Sequence, residues 1–567
     1  MHWNKMYLIL KRIVPRTVIV KHTVLTLQTQ FGTLKDAQTI EASPNTRGGL
    51  FGKCFWRLQM RVTQLSKLLF ALLAAGLLSF SLAQGTLVVA QGTDAVTLDP
   101  HDTTDSPSAT VTSHIFDSLF ELTPDGDIVP SLATEVSFSD DGTEVVLTLR
   151  DDVWFHDGEK FNAEAVKVNL ERFLDTDNAF QFRFLIDTVT NVAVTGEYEV
   201  TLTLESSFAP LLSHFTHSSI GMISPAVLAS GVDVSDNPVG TGPFSFVSWD
   251  RGSRIDLVRN DNYWGGAAKL DGVSFVAVPE NTTRMAMVET GEAHVAVRVP
   301  PQDIARIDAL DHVDVENVSS VRTVFIFFNM DHEYFSDVRV RRAINHAVDN
   351  ELIADFLLGG AVRVSDAAIS PGVFGYTGVG TYEYNPELAK ELLAEAGFPN
   401  GFDVELWSPS GRYLQDIQTA ETIQSQLAEV GVNVTVETAE WSTYLATVNR
   451  QRSESVVPFG LLAWGTVTGD ADYGLYALLH STQHVPNGSN RGFFSNDKLD
   501  ALLDEARVNT DADARIALYT EALELIHEET PWLTLHSESQ LVAVNTSVKG
   551  LVIHPTERVL AYTAYLE

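Results

Sequence analysis

The chain has 567 residues, 45% of them hydrophobic and 20% charged, which is typical of a folded protein too long for one ordinary core. We therefore expect at least two lobes. The formal net charge of -36 argues against a nucleic-acid partner, because phosphates are bound by basic surfaces. Cys54 is the single cysteine, so the sequence excludes an intrachain disulfide and places no thiol in the long acidic part of the chain.

Charge is distributed unevenly along the sequence. The first 83 residues contain 11 of the 38 Lys and Arg residues and two of the 74 acidic residues, so the remainder carries 27 basic and 72 acidic residues. An acidic surface of this kind favours a soluble protein, and we expect a monomer.

Residues 60–83 show the three parts of a secretory signal peptide. Arg61 and Lys67 form a basic start, residues 68–82 are almost entirely apolar, and small residues precede a cleavage point at Gln84. The apolar run of about 15 residues is shorter than the roughly 20 that span a bilayer, which argues against a membrane anchor. We therefore expect a secreted protein, periplasmic or extracellular. It should lack a lipid anchor, because no cysteine stands at the cleavage point.

Residues 1–59 do not fit this pattern, because a signal peptide should begin the chain. The segment is basic and shows neither clear periodicity nor the length of a domain. We interpret it as a doubtful N-terminal extension, with translation starting at Met60.

In the acidic part of the chain, strand and helix patterns alternate, which predicts mixed α/β lobes. Alternating or short apolar stretches predict strands at 86–90, 144–150 and 200–204. Apolar residues at helical spacing predict helices at 162–174, 386–396, 420–430 and 497–508.

Two apolar segments, residues 321–330 and 531–536, are predicted to be paired strands that cross between the lobes. The lobes could then close over a ligand by a hinge motion at these strands. The predicted division is lobe I over 84–324 with an inserted subdomain at about 134–236, lobe II over 325–533, and a return to lobe I over 534–567.

Catalytic motifs are sparse. The sequence contains no G-x-S-x-G elbow, Walker loop or H-E-x-x-H motif, and the glycines at 240–243 lack the lysine of a phosphate-binding loop. Asp470 and Asp472 could act as an acid and base pair, bind a metal, receive a ligand's ammonium group, or lie in a solvated turn. Trp441 and Trp464 could stack on a ligand, although core packing is the usual role of tryptophan.

The order of several motifs resembles the large peptide-binding class of extracytoplasmic solute-binding proteins that serve ATP-driven importers. The similar stretches are 97–102 (TLDPHD), 138–172, 238–244 (PVGTGPF), 261–264 (DNYW), 282–292, 337–348, 390–402 and 494–503. Residues 222–226, 407–412 and 463–474 are most similar to glutathione- and dipeptide-binding members.

This resemblance implies a two-lobed periplasmic-binding-protein fold of type II, with an extra subdomain in the first lobe. It implies no catalysis and no cofactor. It also implies that the protein captures di- or oligopeptides, or glutathione, and delivers them to membrane permease subunits that work with cytoplasmic ATPases.

The resemblance also implies roles for two charged residues. A peptide needs an anion for its ammonium group and a cation for its carboxylate. Asp470 matches the family's ammonium-binding acid, and Arg412 matches its carboxylate-binding arginine, whose planar fork suits two oxygens. Further candidate contacts are Thr93, Asp94, Phe328, Asn329, Tyr413, Trp464 and Asn490.

Two alternatives remain open at this point. The same fold could bind a nickel chelate or an oligosaccharide. A more distant alternative is a secreted hydrolase that uses Asp470 and Asp472 as its acid pair.

Overall fold

The computed structural model describes residues 85–567. The segments interpreted as an N-terminal extension (1–59) and a signal peptide (60–83) lie outside the described residues, and so does Cys54. The strands and helices predicted from the sequence all lie within the described residues. The structure confirms them, with small shifts at their ends.

The strands are β1 (Thr86–Gln91), β2 (Phe120–Leu122), β3 (Ile128–Pro130), β4 (Ala133–Phe138), β5 (Glu144–Leu149), β6 (Val189–Gly196), β7 (Glu199–Leu204), β8 (Phe244–Asp250), β9 (Arg254–Arg259), β10 (Gly272–Ala277), β11 (Val295–Val297), β12 (Val313–Phe328), β13 (Arg363–Val364), β14 (Phe402–Pro409), β15 (Val432–Ala439), β16 (Phe459–Gly465), β17 (Trp532–Asn545), β18 (Val548–Lys549), β19 (Val552–Ile553), β20 (Val559–Leu560) and β21 (Tyr565–Leu566).

The helices of at least six residues are α1 (Ser106–Ile115), α2 (Ala163–Leu174), α3 (Pro225–Ser230), α4 (Asn281–Thr290), α5 (Val338–Ala347), α6 (Pro386–Glu395), α7 (Asp416–Ala428), α8 (Trp441–Val448), α9 (Ala471–Leu479), α10 (Asp497–Val508) and α11 (Ala512–Glu529).

One eleven-stranded sheet runs through both halves of the molecule. Its order is β15-β14-β16-β12-β17-β11-β1-β10-β9-β8, and β13 pairs with β17. We call the half built around β1 and β8–β11 the first lobe, and the half built around β14–β16 the second lobe. Helices pack on this mixed sheet, as expected for an α/β protein.

The long strands β12 and β17 pair antiparallel over almost their whole length, which confirms the predicted crossing strands. The beginning of β12 pairs with the end of β17 next to β11, whereas the end of β12 lies between β17 and β16. Their register shifts between Ser319 and Thr323, which is where the chains pass from one lobe to the other. The predicted boundaries at 324/325 and 533/534 both fall inside these continuous strands.

A separate antiparallel sheet with the order β4-β5-β7-β6 lies within the predicted insertion at about 134–236. Alternation in β5 and β7 buries every second side chain. The side chain of Asn162 accepts the backbone N–H of Ala165 at 3.1 Å and caps α2, as the sequence predicts.

Helix α7 begins four residues before the predicted helix at 420–430. The side chain of Asp416 accepts backbone N–H groups at this helix start, including that of Arg412 at 2.8 Å. This local hydrogen bonding is not visible in the hydrophobic pattern. It fixes the loop that carries Arg412.

Candidate ligand-binding site

A cavity of about 770 Å³, counting the part open to solvent, lies between the two lobes beside β12. Both lobes and the crossing strand contribute to its wall, as expected for a site that forms when two lobes close. The main lining segments are 103–106 and 216–218 from the first lobe, Arg322 and Phe325 from β12, and 412–413 and 462–465 from the second lobe.

Arg412 is the arginine that the sequence predicts to bind a carboxylate, and its side chain lines this cavity with only 2% exposure. Its Nη2 lies 3.4 Å from Ser106 Oγ, and its Nη1 lies 3.8 Å from a Glu557 oxygen. Its Nε and Nη1 have no hydrogen-bond partner within residues 85–567. The guanidinium therefore retains two donors for an acceptor in the cavity.

The backbone around Arg412 is held by a carboxylate and a glycine. The Asp416 side chain accepts the backbone N–H groups of Gly411, Arg412 and Tyr413 at 3.2, 2.8 and 3.1 Å. Gly411 has a φ of +76°, a conformation that favours glycine. This turn orients the arginine independently of any ligand.

Three further arginines line the cavity: Arg322, Arg491 and Arg558. Arg322 is paired, because its Nε lies 2.7 Å from Glu557 Oε1. Arg491 and Arg558 form no ion pair with any described residue. Burial lowers the pKa of Arg491 to about 10 and also lowers that of Arg558.

Aromatic residues complete the wall. Trp441, Trp464 and Tyr413 line the cavity, and Trp464 packs against Tyr473 with ring centroids 5.1 Å apart. The indole nitrogens of both tryptophans and the Tyr413 hydroxyl lack a hydrogen-bond partner in the part of the chain that the structure describes. Polar tips on flat apolar rings suit a ligand with both apolar surface and hydrogen-bond acceptors.

Asp105 is the carboxylate in the lining of this cavity. It caps α1, accepting the Ser108 backbone N–H at 3.1 Å and the Ser108 hydroxyl at 2.8 Å. Burial raises its pKa. Asp105 was not among the ligand contacts predicted from the sequence.

Asp470 lies outside the cavity lining, contrary to the role that the resemblance implied. One of its oxygens accepts from Arg515 Nη2 at 2.8 Å and from the backbone of Asp472 at 3.0 Å, so it is an ion-pair partner and the cap of α9. The residue of the same loop that lines the cavity is Val467. A carboxylate already paired in this way is poorly placed to receive an ammonium group.

Asp472 is also enclosed. It is fully buried, 3.3 Å from both His214 Nε2 and Arg507 Nε, and burial raises its pKa to about 7. The two aspartates therefore do not face a common space as an acid and base pair would.

The remaining candidates are divided between a second cavity and the framework. Thr93 lines a neighbouring cavity of about 570 Å³ in the first lobe. Asp94 accepts from Trp249 Nε1 at 2.9 Å and from the backbone of Gly252. It lies in the lining of neither cavity.

Phe328, Asn329 and Asn490 have structural surroundings. Phe328 is a fully buried core residue next to Phe335. Asn329 donates to the Val457 carbonyl at 3.2 Å, and Asn490 donates to the Phe494 carbonyl at 2.9 Å. None of the three lines the cavity. Phe328 packs in the core at the end of β12, and the two asparagine side chains hydrogen-bond to backbone carbonyls of neighbouring loops.

A buried carboxylate pair, Glu538 and Glu557, lines the neighbouring cavity directly behind Arg322 and Arg412. Burial and the adjacent Glu557 raise the pKa of Glu538 to about 7. Burial would also raise the pKa of Glu557, but Arg322, Arg298 and Arg412 together lower it. A protonatable carboxyl group, Glu538, therefore lies next to Arg322, and its neighbour Glu557 lies next to both Arg322 and Arg412.

Sequence reasoning missed Arg322, Arg491, Arg558 and Glu557. They come from distant parts of the chain, and each lacks a motif of its own. No signal in the sequence could have found them, because only folding brings these charged side chains together around one cavity.

The chain matches the family model described as "Bacterial extracellular solute-binding proteins, family 5 Middle" over residues 127–485. The glutathione-binding protein GsiB of Salmonella typhimurium is 32% identical over 487 residues, covering 85% of this chain and 95% of the relative.

Solved structures of binding proteins are also similar to this chain. The periplasmic binding protein DppA of Helicobacter pylori, in complex with the peptide STSA, gives a TM-score of 0.80 at 28% identity, covering 86% of this chain and 99% of that one. The binding protein AgaA of A. tumefacien R10, in complex with agropinic acid, gives 0.78 at 28% identity, covering 85% and 99%.

An interlobe cavity on this fold defines a receptor that captures a solute by enclosing it. The chain belongs to family 5 of the bacterial extracellular solute-binding proteins, the peptide and nickel class that serves ATP-driven importers. It is a binding protein and not an enzyme, so the hydrolase alternative is set aside.

No helix within residues 85–567 combines the length and the apolar character that crossing a membrane requires. Over the same residues, no group of three His, Cys, Asp or Glu side chains could hold a metal ion. The alternative of a nickel chelate, which could bring its own ligands, stays a prediction.

Proposed function

We propose that this protein captures a small peptide, of two to four residues or glutathione-like, and delivers it to the permease of its importer. The observation that carries the proposal is Arg412, a buried guanidinium with two free donors in an interlobe cavity. A ligand carboxylate would satisfy both donors with the bidentate geometry that arginine favours. The similarity to GsiB, a glutathione-binding protein, and to DppA, solved in complex with a peptide, supports the same class of ligand.

In this proposal the rest of the peptide contacts Trp441, Trp464 and Tyr413. Their ring faces would cover its apolar parts, and their polar tips would donate to its carbonyl oxygens. Asp105, rather than Asp470, would bind the ammonium group of the ligand, because it is the acid that lines the cavity.

Isothermal titration calorimetry against di- to tetrapeptides and glutathione tests the proposal. We expect one peptide per chain. A nickel–histidine chelate and an oligosaccharide serve as comparison ligands, and tight binding of either one with no peptide binding would contradict the proposal.

We also propose that residues 60–83 direct secretion, that cleavage falls before Gln84 without lipid attachment, and that the mature protein is a monomer. N-terminal sequencing and light scattering of the secreted protein test these points. A native peptide from residues 1–59 would contradict a start at Met60.

A further inference from the structure

The charges around the interlobe cavity do not balance. Four arginines line it: Arg322, Arg412, Arg491 and Arg558. Glu557 pairs with Arg322 at 2.7 Å, and Asp105 is the acid in the lining. Arg491 and Arg558 form no ion pair with a described residue, and the carboxylate that acts on Arg558 from further away is Glu121.

Arg491 and Arg558 are held in place by neutral oxygen atoms. Arg491 donates to Asn449 Oδ1 at 2.8 Å and to the Ser489 carbonyl at 3.0 Å. Arg558 donates to Thr556 Oγ1 at 3.0 Å and to Ser113 Oγ at 3.3 Å. Within residues 85–567 neither guanidinium has a carboxylate within 4.0 Å. Burying a cation is costly unless an anion accompanies it.

The hydrogen-bonding groups of the cavity that lack a partner also favour an anionic ligand, because they are donors. Among its described lining residues, the buried polar side-chain atoms without a hydrogen bond are Arg412 Nε, Arg412 Nη1, Arg322 Nε, Trp441 Nε1, Trp464 Nε1 and the Tyr413 hydroxyl, and each of them can donate. Arg322 Nε already has its ion pair with Glu557. The Asp105 oxygens already accept two hydrogen bonds from Ser108. A ligand rich in acceptors satisfies this wall, whereas a ligand with equal numbers of cationic and anionic groups does not.

We infer that the natural ligand is an acidic peptide or peptide-like acid, with at least two carboxylates and a net negative charge. This inference rests on the proposed function and narrows it. One carboxylate binds Arg412, and a second lies towards Arg491 or Arg558.

Two peptides of nearly identical shape test the inference directly. Gly-Glu and Gly-Gln differ only in a side-chain carboxylate against an amide, so their affinities report the effect of one negative charge. Because a charge-assisted hydrogen bond exceeds a neutral one by about 1.4 kcal/mol, we expect Gly-Glu to bind the wild-type protein on the order of tenfold more tightly. Calorimetry at fixed pH and ionic strength measures both.

Variants then locate the second carboxylate. Arg491→Gln and Arg558→Gln are each measured with both peptides. In at least one of these variants, the ratio of the Gly-Glu affinity to the Gly-Gln affinity should move towards one. Arg450→Gln, at an exposed position outside the cavity lining, is the matched control and should keep the ratio. If a buried variant does not fold, the wild-type ratio alone still decides the inference.

Equal binding of the two peptides, or tighter binding of Gly-Gln, would overturn the inference and leave the proposed function intact. If neither glutathione nor any member of the panel of di- to tetrapeptides binds, both are contradicted.

Discussion

Arg412 combines three properties that suit a ligand-binding residue. It is almost completely buried, its backbone is fixed by the Asp416 carboxylate, and two of its donors are unsatisfied. Glu557, at 3.8 Å, is too distant for a hydrogen bond. The protein thus holds a guanidinium whose Nε and Nη1 have no hydrogen-bond acceptor among residues 85–567.

Replacing Arg412 with Ala should weaken peptide binding by about 2–5 kcal/mol, because the ligand carboxylate would be buried without its counter-ion. Calorimetry with the best-bound peptide measures the loss. Arg450→Ala, which removes an exposed arginine, should retain wild-type affinity. Equal affinity in both variants would show that the carboxylate is bound elsewhere.

Glu538 makes binding depend on pH. A ligand carboxylate near Arg412 adds negative charge beside the Glu538–Glu557 pair, so it should raise the pKa of Glu538 further above about 7. The complex then takes up protons, and affinity should fall as pH rises through 7. The charged groups that face the pair are Arg298, Arg322 and Arg412.

Calorimetry at pH 7 in two buffers of different ionisation enthalpy detects this proton uptake. Glu538→Gln, which cannot titrate, should show the same enthalpy in both buffers. Equal enthalpies for the wild-type protein would contradict the coupling.

At the residue scale, the sequence predicted part of the site. Arg412, Tyr413 and Trp464 line the cavity: the first two lie on the loop after β14, and Trp464 lies near the end of β16. Asp470 does not, since the pattern could not distinguish which residue of the loop turns inward. Arg491 and Arg558 could not be found at all, because their unbalanced charge appears only after folding.

At the scale of elements, Asp470 connects two helices. It caps α9 and pairs with Arg515 of α11, and both side chains are less than 10% exposed. The contact therefore stabilises the second lobe.

Asp470→Ala should lower the free energy of unfolding by about 3–5 kcal/mol, because it leaves Arg515 buried and unpaired. Peptide affinity should stay close to the wild-type value. Denaturant unfolding and calorimetry measure the two effects separately. Asp470→Asn retains a good helix cap and should lose less stability. Loss of peptide binding without loss of stability would restore the ligand role that the sequence suggested.

The architecture was more predictable than the site. Strand alternation and helical spacing are local properties, so β5, α2 and α10 were located within about one residue. The crossing strands could be predicted because residues 321–330 and 531–536 are apolar segments bounded by polar residues, as expected for buried strands that pair with each other. The register shift at 319–323 could not be predicted, because it depends on how β12 and β17 pair over a long distance.

On the scale of the whole molecule, the two lobes meet closely at the edge of the cavity. Gly92 follows β1 in the first lobe, and Gly411 precedes Arg412 in the second. A Cβ at Gly92 would lie 2.3 Å from the Gly411 carbonyl oxygen. Only glycine permits this approach.

Gly92→Ala should therefore prevent full closure and weaken peptide binding by about 1–3 kcal/mol, the usual cost of overpacking. The unfolding temperature of the ligand-free protein should change little, since the lobes can separate slightly. Gly196→Ala in β6, whose Cβ would come no closer than 3.2 Å to a side-chain carbon, is the control for affinity. Wild-type affinity in Gly92→Ala would show that binding does not need this contact.

The central claim is that the interlobe cavity binds an acidic peptide through Arg412. Native mass spectrometry of the wild-type protein and Arg412→Ala, each incubated with a mixture of di- to tetrapeptides, tests it most directly. The account predicts one retained peptide per wild-type chain, enriched in acidic sequences, and almost none on Arg412→Ala. The absence of retained peptide on the wild-type protein, or the same peptides on both proteins, would contradict it.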